Sequence, residues 1–541
     1  MAPDTATGPR PHYVTTPGGQ VRLWLAGQGA TLIALPGLIR SAETVARELA
    51  RSCPGWRVVA VELPGIGYSA GAGIAGIKDM AARIADALAW LGDAPCALLA
   101  HDLAAPLAEA LCARAGEGEG GPRIDAAFTL GRDTALGWKS AGIAPPDIAP
   151  RQDGTHLPAL WTFLRDRHLL VPDDPGLPLA EGPPVPPVDE LSATFVSAAR
   201  DPGGFATGWR LCIAALSPGG AQAQAAQDLT GAGDLPGALP DLPDCRAAPP
   251  PTHPMPGRAP WNDYAETARG RLHLRRAGAQ GTPLLVIPSG GGSSEQFAPV
   301  VAGLANGRRV FAVDYPGNGL SDPPPGPVSI ASLARDMVAL LDAMEIETTD
   351  IWGSHTGALV ALEIALIAPG RVGRLVMEGP VFIDPGFQDD ILSNYFIDFS
   401  PDIWGRHLLS VWNWRRDMFM YWPWYRVERA AARQLGVPGA GQIHMYALGI
   451  LESGDTYDRA YRSAFSYDTH ARLPGLTRPA LVCAGPNDQL KNAVEEAPRT
   501  GPPDLVSAVE TPTTVWWPDP DPAEAEETLA IYDRFLRGAR G

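Results

Sequence analysis

Short apolar runs rich in Val, Ile and Leu alternate along this chain with longer stretches in which apolar residues return every three or four positions. In the C-terminal half the runs are LLVIP from Leu284, RVFAVD from Arg309, DIWGS from Asp350, RLVMEG from Arg374 and PALVCAG from Pro479. Each is too short for a helix and lacks the one-in-two alternation of a half-exposed strand, which predicts strands buried on both faces. SIASLARDMVALLDAM, ALVALEIALIA and AEETLAIYDRFLRG keep the helical period and predict helices. Strands and helices in alternation predict an α/β fold, a mostly parallel sheet covered by helices. The Trp-rich stretch from about 387 to 467 falls between two of the strands, where a helical cap would sit.

The pattern occurs twice. RVVAVELPGIGYS (Arg57–Ser69) matches RVFAVDYPGNGLS (Arg309–Ser321), LIALPG (Leu32–Gly37) faces LLVIPSG (Leu284–Gly290), and LLAHDLAAPLAEAL (Leu98–Leu111) faces IWGSHTGALVALEI (Ile351–Ile364). GTHLPALWTFLRD (Gly154–Asp166) and GRHLLSVWNWRRD (Gly405–Asp417) share Gly, His, Leu, Trp, Arg and Asp in register. Four ordered blocks at nearly one offset make an internal duplication, and 541 residues suffice for two full cores. The expected organisation is a truncated repeat over 1–234, a linker over 235–262 and a second repeat over 263–541. The linker is expected because LPGALPDLPDCRAAPPPTHPMPGRAP (Leu235–Pro260) carries too much proline for regular structure.

Charge narrows the partners. Lys+Arg of 43 against Asp+Glu of 60 leaves −17, which argues against nucleic acid or an anionic membrane as partner and favours a small-molecule substrate. MAPDTATGPRPHY at the N-terminus holds no apolar leader core, and no stretch is apolar enough to span a bilayer, so a cytoplasmic location is expected. The abundance of Ala, Gly, Pro and Arg suggests a GC-rich bacterial coding sequence. The six cysteines are scattered without metal-like spacing and read as reduced, buried thiols. GAGIAG (Gly71–Gly76) does not follow a strand closely enough for a dinucleotide fingerprint, and no metal site or cofactor is expected.

Chemistry concentrates in the second repeat. Gly353-Ser354-His355-Thr356-Gly357 stands between a predicted strand and a predicted helix, the context of a nucleophile elbow, whose tight turn lifts its middle residue above the sheet. That residue is His355; Ser354 falls in the preceding slot and should point away from the site. DYPGNGLSD (Asp314–Asp322) follows the strand before the elbow, and CAGPNDQL (Cys483–Leu490) comes late in the chain. With these motifs the second repeat, from about Tyr264 onward, resembles the capped branch of the α/β-hydrolase superfamily. The first resembles it more weakly, from Tyr13 to about Leu216.

The resemblance implies that Asp488 is the acid that orients a catalytic histidine, with Glu378 at the alternative acid position. It also implies an oxyanion hole from the Thr356 N–H and an N–H of the turn Ser289–Gly292, with Gly290 as the residue expected to supply it. The chain departs from the family at the serine apex and again near TTVWWPDPDP (Thr513–Pro522), where the closing histidine belongs; no histidine follows His470. The usual Ser-His-Asp relay therefore cannot be assembled. An imidazole held by a carboxylate remains able to act as general base, general acid or nucleophile.

In the cap, His407, Trp412 and Arg416 fall near one another on one helix. They either tie cap to core or bind a polar or anionic part of the substrate. Trp404, Trp412, Trp414, Trp422 and Trp424 are expected to supply an aromatic wall or an interface between the repeats. The first repeat has lost both elbow glycines in Ala100-His101-Asp102-Leu103-Ala104, and beyond Leu216 no strand carrying an acid is expected. It is read as a scaffold that docks on the second repeat as an intramolecular pseudo-dimer. The function expected is a cofactor-independent hydrolase with His355 as general base on a small apolar or aromatic carbonyl compound. A C–C lyase, decarboxylase or cyclase is the alternative, and a ligand-binding pseudoenzyme the reading from another class.

Overall fold

The five apolar runs of the C-terminal half form consecutive strands, and their counterparts in the N-terminal half do the same. In the computed structural model, which describes residues 8–69, 73–118, 120–168, 185–218, 226–255 and 260–538, the chain divides into two units. Residues 1–7, two residues of GAGIAG and 256–259 of the proline-rich stretch lie outside those described. One unit comprises 1–149, 155–255 and 401–405; the other comprises 150–154, 256–400 and 406–541.

The first unit holds β1 (Arg10–Thr16), β2 (Gly19–Ala26), β3 (Ala30–Leu35), β4 (Trp56–Val61), β5 (Pro95–His101), β6 (Arg123–Leu130) and β7 (Gln227–Leu229). The second holds β8 (Trp261–Thr267), β9 (Gly270–Ala277), β10 (Thr282–Ile287), β11 (Arg308–Val313), β12 (Thr349–Ser354), β13 (Val372–Glu378), β14 (Ala480–Ala484) and β15 (Val506–Glu510). The sheet orders are β1-β2-β4-β3-β5-β6-β7 and β15-β14-β13-β12-β10-β11-β9-β8. They are one order read in two directions, with β15 alone lacking a counterpart, so the chain is two tandem α/β units with the first one strand short. Among the described strands of the two sheets, only the opening hairpins and the strands they join pair antiparallel.

Strands β10 and β12 have no exposed residue from Leu284 to Ile287 and from Thr349 to Ser354, because helices cover both faces. Helix Thr356–Ile367 buries ten of its twelve residues, which explains why its sequence is apolar on all sides. Between β13 and β14 the chain leaves the sheet for helices Pro385–Asn394, Arg406–Met420, Ala440–Ser453 and Arg459–Phe465, the cap.

Two expectations are corrected. The proline-rich stretch is not a free linker where described: the Cys245 N–H donates to Gly29 O, Thr252 Oγ1 to Tyr13 O and Thr15 Oγ1 to His253 O, a strap that belongs to the first unit. Prolines lack an N–H, so the strap is held mainly through its carbonyls and side chains. Beyond Leu216 the first unit does have a strand with an acid, β7, too short to show as an apolar run. Its Asp228 is structural, accepting from Arg132 Nε at 2.8 Å and from the Thr129 hydroxyl.

Each sheet also buries a hydrogen-bonded acid–base pair at matching places. In the first unit Arg22 bonds Glu62 at 2.8 and 3.1 Å; in the second, His273 Nδ1 meets Asp314 Oδ2 at 2.8 Å. Asp314 further accepts the N–H groups of Ser294 and Leu320, which locks the loop after β10 beside the site.

Candidate active site

At the end of β12 the backbone turns sharply, and His355 takes φ +48° and ψ −107°, a conformation that side-chain-bearing residues rarely adopt. The flanking glycines explain how the turn closes. A Cβ at Gly353 would land on Gly357 O, and one at Gly357 on Ile287 O. Helix Thr356–Ile367 begins at once, so the first N–H groups of the helix point at whatever stands above the turn.

The imidazole is buried and its Nε2 lies 3.0 and 3.2 Å from the two carboxylate oxygens of Asp488. Asp488 follows β14, and its Oδ1 also accepts the Leu490 N–H at 2.8 Å, which fixes its rotamer. Burial disfavours the charged imidazole, but the charge and hydrogen bond of Asp488 outweigh it and hold the His355 pKa above its ordinary value. Burial likewise pushes Asp488 up; the imidazole, the Leu490 N–H and Arg433 outweigh it and keep that carboxyl below the usual range. Among the described residues nothing hydrogen-bonds His355 Nδ1, which leaves that nitrogen for the pocket.

The Glu378 carboxylate makes no hydrogen bond to the imidazole. It ends β13 opposite Ser354, its carbonyl accepting the His355 N–H at 2.8 Å, while its carboxylate accepts Trp516 Nε1 at 2.6 Å and the Tyr532 hydroxyl at 2.7 Å. Burial raises the Glu378 pKa, with Asp488 adding to it against the two hydrogen bonds. Trp516 lies in TTVWWPDPDP, and its ring meets His355 edge-on at 5.8 Å. The place where the resemblance puts a histidine is thus filled by an indole anchored on Glu378.

The N–H groups of Thr356 and Gly290 have no acceptor among the described residues. A Cβ at Gly290 would sit 2.7 Å from Tyr461 Cα and 2.8 Å from Thr356 Oγ1, so the turn approaches the elbow closely. The first unit shows what such a pair of N–H groups does. There Asp102 keeps the strained apex, φ +37°, and its carboxylate accepts the N–H of Leu103 at 2.6 Å and that of Leu38. Leu103 and Leu38 are the repeat counterparts of Thr356 and Gly290. Burial raises the Asp102 pKa to about 6, and its own oxygens take up both of those N–H groups.

Above His355 lies a pocket with a cavity volume of about 60 Å³ that opens toward solvent. Its wall comes from Tyr395, Tyr446, Tyr461, Phe419, Trp422, Trp516 and Trp517, and its polar lining from Ser289, Gln296, Gln489 and two arginines, Arg415 and Arg433. Of the cap residues singled out in the sequence, His407 and Trp412 are buried elsewhere, the Trp412 indole N–H donating to Gln152 O at 3.2 Å. Arg416 points away, its guanidinium 3.6 Å from Asp417. On helix Arg406–Met420 the pocket face is Arg415, Met418 and Phe419, so the arginine of RRD that enters the pocket is the one before that expected. Of the five tryptophans only Trp422 lines the pocket. Trp412 and Trp414 are core, Trp404 is 69% exposed, and Trp424 donates to Tyr395 O. The spacing of 415, 418, 419 and 422 was the available signal; the tyrosines come from separate segments and carried none.

A family model described as alpha/beta hydrolase fold matches residues 282–428. A protein of Variovorax paradoxus named "Putative carbamate hydrolase RutD" is 37% identical over 274 residues, 49% of this chain and 94% of the relative. A 2-hydroxymuconate semialdehyde hydrolase of a Pseudomonas species is 38% identical over 117 residues, 20% of this chain and 40% of that one. A solved hydrolase of Pseudomonas aeruginosa, 23% identical, covers 47% of this chain and 90% of its own with a TM-score of 0.36.

Proposed function

The chain belongs to the α/β-hydrolase superfamily, and we propose that its second unit is a cofactor-independent hydrolase that uses His355 as general base on the carbonyl of a small apolar or aromatic, ester-like substrate. The observation that carries this reading is the His355–Asp488 pair on a strained elbow, facing an aromatic pocket. Strain of this kind persists only where the surrounding structure imposes it, and here it points a base at a cavity. The names of the relatives favour hydrolysis over the lyase alternative.

With Nε2–H donated to Asp488, the lone pair of Nδ1 takes a proton from water as the water oxygen bonds to the carbonyl carbon. The carbonyl electrons move onto oxygen, which the N–H groups of Thr356 and Gly290 stabilise. Collapse of the adduct breaks the bond to the leaving group, which takes the proton from Nδ1 and departs as the alcohol. Asp488 balances the imidazolium between these steps, and no acyl-enzyme is formed.

The test compares wild type, His355→Ala and Ser354→Ala on a panel of activated aryl esters in water enriched in oxygen-18, with mass spectrometry of the acid. Label in the product, loss of turnover in His355→Ala and retention in Ser354→Ala are expected. Labelling of Ser354 by a serine-directed fluorophosphonate would refute the assignment of the apex.

A further inference from the structure

We propose that Arg415 is an anion subsite, and that the substrate of this pocket carries a carboxylate beside its reacting carbonyl. The proposal deepens the hydrolase reading and rests on it for the reaction, though not for binding. Arg415 is more than nine-tenths buried and lines the pocket. Its guanidinium finds only neutral neighbours: Nη2 donates to Gly291 O at 3.1 Å and reaches Gln296 Oε1 at 3.5 Å, Nη1 reaches Met418 Sδ at 3.5 Å, and Nε has no acceptor among the described residues. No carboxylate of the described residues lies within 4.0 Å of it, whereas Arg132, Arg22 and Arg308, also buried, each hold at least one. A guanidinium taken out of water without a counter-charge is strongly disfavoured, and one left so in a pocket is matched by what the pocket receives.

The second arginine is already accounted for. Arg433 donates to Met418 O, Asn487 O and Gln489 Oε1, and its charge faces Asp488. Arg415 thus remains the unbalanced cation. Its planar fork suits a carboxylate, which can take two parallel N–H bonds from one guanidinium. The remaining wall is aromatic, so the rest of the substrate is apolar, flat or unsaturated. Position is constrained too. Arg415 is tied to Gly291, next to the Gly290 N–H assigned to the oxyanion, so the carboxylate and the reacting carbonyl are only a few bonds apart.

The experiment measures binding of phenylacetate, phenylacetamide and phenyl phosphate to the full chain by calorimetry, with wild type, Arg415→Met, Arg415→Lys and His355→Ala. Phenylacetate should bind wild type and His355→Ala about tenfold or more tighter than phenylacetamide, a difference of about 1.4 kcal/mol. Arg415→Met should abolish that preference while leaving the amide affinity unchanged, and Arg415→Lys, should Arg415→Met not fold, should keep part of it. Equal affinities for acid and amide in wild type, or a preference that survives Arg415→Met, would overturn the subsite. Tighter binding of phenyl phosphate than of phenylacetate would overturn the choice of carboxylate. Preference without ester turnover in wild type leaves the subsite standing and removes the hydrolase reading; turnover without preference does the reverse.

Discussion

Replacing Asp488 by Asn removes the charge that balances the imidazolium while keeping a side chain of the same shape. In the wild type the nearest contact is 3.0 Å, Nε2 to Oδ2. With the charge centres about 4 Å apart and an effective dielectric constant of about 20, the attraction is about 4 kcal/mol. That attraction is present when Nδ1 has taken the proton and absent when the ring is neutral, so it acts on the barrier; kcat should fall about a thousandfold. The amide can also donate its NH₂ to Nε2, which moves the ring proton to Nδ1 and blocks the base, a loss in the same direction. The pH profile supplies the second readout. In the wild type activity should rise as pH passes the raised pKa of His355, because only the neutral ring accepts a proton. In Asp488→Asn the residual activity should rise at lower pH, since the largest influence raising the pKa is gone and burial remains. A loss under tenfold with the limb unmoved would refute the base role of the pair.

Gly290→Ala should reduce kcat about a hundredfold or more with the fold intact, because a Cβ there presses on Tyr461 and Thr356 and displaces the N–H assigned to the oxyanion; ester kinetics beside circular dichroism check it. Glu378→Ala should cost about 2 kcal/mol or more, read as a lowered thermal midpoint, by stranding the Trp516 indole N–H and the Tyr532 hydroxyl, and Glu378→Gln should recover most of it. Asp102→Asn should leave ester turnover unchanged and alter only stability. The Asp102 pKa rises from 3.8 to about 6 on folding, so the unfolded chain ionises first and wild-type stability falls as pH rises through that window, by about 3 kcal/mol. Urea midpoints of the variant should lack that fall.

Features that depend on neighbours in the chain were legible beforehand. The elbow is one: Gly353 and Gly357 flank a residue that must take a positive φ, and their meaning does not depend on the rest of the fold. The strands β10 to β14 are another, since burial on both faces leaves an uninterrupted apolar run. Strands without such a run escaped, β7 through its length and β8 through its mixed burial. That Arg415 and not the expected Arg416 enters the pocket is a matter of helical phase: adjacent residues point about 100° apart, and a single step moves a side chain from pocket to surface. Proline content suggested a linker, yet carbonyls that no proline removes, with the Thr252 hydroxyl, were enough to lay that stretch along β1.

The sequence by itself determined two tandem α/β units, the histidine at the apex of the second elbow and the loss of both elbow glycines in the first. These follow from periodicity, from repeated blocks and from local backbone sterics. Only the tertiary structure decided that Asp488 and not Glu378 meets His355, that Trp516 fills the place of the missing histidine, and that Arg415 enters the pocket without a counter-charge. His355 and Asp488 are 133 residues apart, and two carboxylates both near the ends of adjacent strands are equivalent in sequence. The difference between them is a few ångströms of side-chain direction set by what packs behind each, which only the folded chain fixes.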